Sequence, residues 1–142
     1  MKRFTALVLA LVLMATAAAC GGSDTPSTIV APTGTLVTDT FTGTVAVMQT
    51  NVHNFTILVQ GSVSVTLVSA GPPPTITMGL GIGSPGATAG TCSFFSGGTI
   101  ATAAGSTAQL NGTAAAGSYC VAVGDIGNAL QPIDYVVTVA HT

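Results

Sequence analysis

Apolar residues alternate strictly with small or polar ones between Ile76 and Ile82. Ile76, Met78, Leu80 and Ile82 share one parity, and Thr77, Gly79 and Gly81 hold the other. A helix repeats its faces about every 3.6 residues, so a period of two excludes it and fits a strand with one buried face. The pattern recurs along the chain. Val63, Val65 and Leu67 alternate with Ser62, Ser64 and Thr66. Phe55, Ile57 and Val59 form another set, as do Tyr119, Val121 and Val123, and Tyr135, Val137 and Val139. Phe41, Gly43, Val45 and Val47 give a weaker one. Runs of this kind, rich in Val, Ile, Thr and aromatic residues, predict half-buried strands.

The breaks between runs carry turn residues. Gly71-Pro72-Pro73-Pro74 stops one strand before Thr75 opens the next, and Ser84-Pro85-Gly86 and Asn111-Gly112 read as turns. Gly61 separates two runs closely and predicts a hairpin. Ala101–Ala116 is rich in Ala, but Gly105, Gly112 and the many Thr and Ser residues oppose a helix. A weak strand around Thr107–Leu110 is expected there. The predicted fold is all-β: about eight short antiparallel strands in a single β-sandwich.

The N-terminus is an address. Lys2 and Arg3 precede the apolar run Phe4–Met14, followed by small residues up to Cys20. This is the layout of a secretory signal, and the run barely reaches the roughly 17–25 residues of a spanning helix. Ala17-Ala18-Ala19-Cys20 resembles the lipobox of bacterial lipoproteins, although Ala17 stands where that family more often has Leu. The resemblance implies lipidation of Cys20 and anchorage in a membrane through the lipid. With Gly21 rather than Asp after the cysteine, it also implies the outer membrane where the cell has one. The competing reading is ordinary Ala-x-Ala cleavage, which would release the protein. If Cys20 carries lipid, Cys92 and Cys120 are left to pair as a disulfide in an oxidising compartment. The alternatives are two separate buried thiols or a metal pair, and His53 and His141 are the only imidazoles available for the latter. Residues 1–19 are thus the expected lipoprotein signal peptide, 20–38 a lipidated Cys with a flexible tether, and 39–142 one folded domain.

The whole region from Phe41 to His141 is similar to the bacterial pre-peptidase C-terminal (PPC) domain. The likeness begins at Phe41-Thr42-Gly43-Thr44-Val45. It runs through Phe55–Val59, Gly61–Leu67 and the extended Ile76–Ile82 strand. It ends with Gly117-Ser118-Tyr119-Cys120-Val121 and Tyr135-Val136-Val137-Thr138-Val139. The resemblance implies a jelly-roll-like sandwich and a non-catalytic accessory role. PPC domains usually accompany an enzyme, and no catalytic domain is found in this chain.

Composition narrows the chemistry further. Beyond the predicted signal the chain has no Lys, Arg or Glu, and its charged side chains are Asp24, Asp39, Asp125 and Asp134. Nucleic-acid binding through phosphate neutralisation is therefore excluded. No Gly-x-Ser-x-Gly elbow appears; His53 falls in a predicted loop and His141 near the end, so each is read as solvated or capping. No enzymatic activity and no cofactor are expected. Asp125, Asn128 and Asp134 are weak calcium candidates, set against a reading in which Asp125 and Asn128 shape a turn. The adjacent Phe94 and Phe95 face opposite ways on a strand and are weak candidates for a contact surface. The expected function is a lipid-anchored envelope module binding an envelope protein or glycan. The alternative is a structural surface protein that self-associates through uncharged strand edges.

Overall fold

The computed structural model describes residues 34–142; Cys20, the predicted signal and most of the predicted tether lie outside the described residues. Eight strands occur in chain order: β1 (Val37–Val45), β2 (Thr50–Ile57), β3 (Gly61–Gly71), β4 (Thr77–Pro85), β5 (Cys92–Ala103), β6 (Leu110–Ala114), β7 (Gly117–Gly124) and β8 (Ile133–His141). They form two four-stranded sheets, ordered β1-β8-β3-β6 and β2-β7-β4-β5. Every pairing is antiparallel. This order is the eight-stranded jelly roll, the double-sheet arrangement expected from the alternation.

The parity of each run decides which side chains meet between the sheets. Val63, Val65 and Leu67 of β3 and Tyr135, Val137 and Val139 of β8 face Met78, Leu80 and Ile82 of β4 and Val121 and Val123 of β7, all of them buried. Phe55 and Ile57 close one side of this core. Burying a Val, Leu, Ile, Phe or Met side chain contributes roughly 1.5–3 kcal/mol, so this one layer carries most of the stabilisation.

Several expectations are corrected. Gly61 does not close a hairpin. β2 and β3 lie in different sheets, and of all consecutive strands only β4 and β5 are hydrogen-bonded neighbours. Parity predicts which residues are buried and says nothing about which sheet receives the next strand. Val47 and Val59 fall outside their strands, and β1 begins at Val37, two residues ahead of the predicted boundary. The weak strand at Thr107–Leu110 is displaced to Leu110–Ala114, with Asn111-Gly112 inside it rather than in a turn; Gly112 pairs with Val63. Ahead of that strand Gln109 takes over the ladder. Its N–H donates to the Val65 carbonyl at 3.0 Å, and its Oε1 accepts the Leu67 N–H at 2.8 Å. Both histidines also lie in strands. His53 is in β2, and His141 is in β8 with 4% of its surface exposed.

Candidate functional site

At the centre of the sheet β2-β7-β4-β5, strands β4 and β7 present an outer face almost without side chains. Along β4 the outward positions are Gly79, Gly81 and Gly83. Their partners on β7 are Gly124, Ala122 and Cys120. A bare face of this kind lets other chain segments lie against the backbone, and three do. A Cβ on Gly81 would come within 2.8 Å of the Phe94 Cδ1, so the Phe94 ring rests on that glycine. Ile126 covers Gly79, and Thr50 covers Gly124.

The third glycine carries backbone. A Cβ on Gly83 would collide with the Ser93 carbonyl and lie 2.8 Å from the Phe94 Cα. The first residues of β5 therefore lean over β4. The disulfide shows the same displacement. In the sheet, β4 separates β5 from β7, and flat strands two apart would be roughly 10 Å from each other. Cys92 and Cys120 nevertheless form a disulfide with their Cα atoms 5.9 Å apart. The arm Cys92–Phe94 is folded across the glycine stripe and fastened to β7. Beyond it the ladder breaks: Gly83 pairs with Phe94 but Gly81 with Thr99, leaving Phe95–Gly98 bulged out opposite Ile82.

The uncovered part of this face is a trough of about 370 Å³, lined by Thr50, Gly79, Gly81, Phe94, Thr99 and Ile126 among others. The two candidate phenylalanines part company as strand geometry requires. Phe94 walls the trough. Phe95 turns to the other side, where its ring meets Tyr119 edge-on at 6.0 Å. Both are about half exposed, at 48% and 44%.

The calcium candidates Asp125, Asn128 and Asp134 are each engaged in hydrogen bonds. Asp125 Oδ1 accepts the N–H groups of Gly127, Asn128 and Ala129 at 2.9, 3.1 and 3.1 Å, and Oδ2 accepts the Met48 N–H at 2.8 Å. These bonds, the one from Met48 foremost, hold its carboxyl below the usual Asp range. Asn128 Nδ2 donates to the Thr77 carbonyl at 3.0 Å, and Asp134 accepts the Thr44 hydroxyl at 2.6 Å across the other sheet. Asp125 and Asn128 thus shape a loop, and among the described residues no group of three His, Cys, Asp or Glu is placed to hold a metal ion.

Met48, tied to Asp125 in this way, sits at φ 60°, in the left-handed region. A non-glycine residue there costs roughly 1–2 kcal/mol, and Asn tolerates it best. Met48→Asn is expected to raise stability by about 1 kcal/mol, read from urea unfolding.

Both imidazoles are engaged within the sandwich. His53 stacks on Phe41, with centroids 4.8 Å apart and planes at 11°, and its Nε2 lies 2.6 Å from the Tyr135 hydroxyl. Burial lowers the His53 pKa and raises that of Tyr135. The fold therefore favours the neutral His53 ring. Its contribution to stability is complete above about pH 6.5, declines as pH falls below that, and levels off beneath the depressed folded value. Urea midpoints at about pH 7.5 and 5 should show this acid loss in the natural chain. His53→Phe, which keeps the stack, should lose that component. His141 donates Nε2–H to Asp39 Oδ2 at 3.1 Å, and its Nδ1 is buried with no hydrogen-bond partner. No hydroxyl sits against that nitrogen, so Asp39 and His141 form a pair rather than the triad that serine hydrolysis requires.

Sequence reasoning missed the bare face. Gly79-x-Gly81-x-Gly83 was the available signal, since three glycines of one parity on a strand leave a floor that something else must approach. Comparison with known proteins adds no family to this geometry: the chain matches no protein-family model, and no curated protein is significantly similar to it.

Proposed function

We propose that this chain is an exported, lipid-anchored, non-catalytic binding module of the cell envelope, built on a sandwich similar to the PPC domain. Cys20 carries the lipid, and the outer membrane is its site where the cell has one. The observation that carries the binding reading is the trough on the outer face of β2-β7-β4-β5. It combines a backbone floor at Gly79 and Gly81 with exposed apolar walls at Phe94 and Ile126. A mostly apolar concavity with a few hydroxyl groups is the usual form of a ligand site. Residues 34–142 contain no Lys, Arg or Glu, which favours an uncharged partner, a neutral glycan or an apolar protein segment.

Two measurements test this reading. Intact mass of protein extracted from the envelope should show cleavage before Cys20 and added acyl chains; an unmodified precursor would end the anchoring proposal. A screen of envelope glycans and exported proteins should yield a partner whose affinity drops at least tenfold, about 1.4 kcal/mol, with Phe94→Ala. Unchanged affinity would remove the trough from the proposal.

A second reading rests on β5, a twelve-residue edge strand without a charged side chain or proline. Charged edges and prolines are the usual protection against edge-to-edge pairing, so self-association into a surface layer is the alternative role. A monodisperse monomer at high concentration would dispose of it.

A further inference from the structure

β1 carries a carboxylate where its pattern asks for an apolar side chain. Thr38, Thr40, Thr42 and Thr44 are the exposed positions, and Asp39, Phe41, Gly43 and Val45 take the inner face. Asp39 thereby reaches a cavity of about 520 Å³ lined by residues of β1, β2 and β8, where both sheets have a free edge. Val37, Phe41, Phe55, Leu58 and His141 line it with Asp39.

Two groups in this cavity call for a donor. Asp39 Oδ2 accepts from His141 Nε2, and among the described residues no other hydrogen bond reaches this carboxylate. The remaining described carboxylates are engaged elsewhere, Asp125 by four amides and Asp134 by the Thr44 hydroxyl. His141 is 4% exposed, and its Nδ1, an acceptor when Nε2 carries the proton, meets no donor. A second proton, on Nδ1, would find no acceptor there, so the imidazole gives Asp39 a hydrogen bond rather than a counter-charge. Residues 34–142 contain no Lys or Arg, and a cation for Asp39 comes from another molecule.

An inward charge on an edge strand also discourages pairing with another sheet. That role needs neither a buried histidine beneath the charge nor a hollow in front of it. The hollow itself is walled by two aromatic rings and by Val37 and Leu58. Aromatic rings attract cations, and aliphatic walls suit an alkyl stem.

We propose that this cavity binds an alkylammonium group, with its charged head on Asp39 and its stem against Val37, Phe41 and Leu58. A free amine and a lysine side chain both present this chemistry. The cavity shares no lining residue with the trough, so either site can fail without the other.

Amide chemical shifts of the full chain are followed while n-butylammonium, n-butanol or Nα-acetyl-lysine methylamide is added at low salt. The expected result is saturable shifts at Asp39, Phe41 and His141 with butylammonium and none with butanol at the same concentrations. Asp39→Asn keeps the shape and the acceptor for His141 and removes the charge, so it should weaken butylammonium binding at least tenfold. Asp134→Asn removes the same charge from the other end of the β1–β8 ladder and should leave the affinity unchanged. Binding of the lysine diamide as firmly as the amine supports the proposal with a protein side chain as the source; binding of the amine alone supports it with a small amine. The proposal is overturned if butylammonium shifts none of the three positions, or if butanol shifts them equally. An affinity indifferent to Asp39→Asn, or lowered as much by Asp134→Asn, overturns it too.

Discussion

Gly83→Ala is expected to destabilise the fold by about 3 kcal/mol, lowering the urea midpoint by roughly 1.5 M. The added methyl group is small, but it would occupy the space of the Ser93 carbonyl, and backbone cannot rotate aside as a side chain can. The arm Cys92–Phe94 must lift, which takes the Phe94 ring off Gly81 and pulls against the disulfide. Gly112→Ala provides the contrast. In β6 a new Cβ would meet nothing nearer than Val63 Cγ1 at 4.0 Å, so its effect should stay within about 0.5 kcal/mol. Equal effects at the two glycines would mean that the arm does not lie against Gly83.

Removing the disulfide by Cys92→Ala with Cys120→Ala should cost about 3.5 kcal/mol on the chain-entropy model, given the sequence separation of 28. The loss is expected to be coupled to that at Gly83. With the arm unfastened, the backbone over Gly83 can move away, so Gly83→Ala should cost less in the cysteine-free chain than in the natural one. Denaturant unfolding of the four chains completes a double-mutant cycle. Strict additivity would count against a single arm held by both features.

The strands whose alternation was clear were legible because one of their faces is buried. β3, β4, β7 and β8 follow their parity sets closely, and the choice of Cys92 and Cys120 as a pair was available from the count of thiols. Topology was not legible. A sandwich rewards burial of one face in the same way whether consecutive strands pair or cross between sheets, which is why Gly61 resembled a hairpin turn. β5 gave no alternating set. It is an edge strand, mostly exposed along its length, and its register breaks at Phe95–Gly98. Without a buried face there is no pressure for a period. The candidate site was half visible: Phe94 and Phe95 stood out as adjacent aromatics, whereas the floor beneath Phe94 was hidden because glycine in a strand reads as weakness until its neighbour is seen.

The way the chain enters the sandwich bears on how the domain withstands a pull. Gly34 leads directly into β1, an edge strand whose whole length is matched to β8, from Val37 against His141 to Val45 against Ile133. A load applied ahead of Gly34 and resisted at the far end of the body runs along this strand. The rungs to β8 are then sheared together rather than unzipped singly, so detachment requires many hydrogen bonds to yield at once. With the leading end anchored as proposed, this geometry would keep the module's shape under tension.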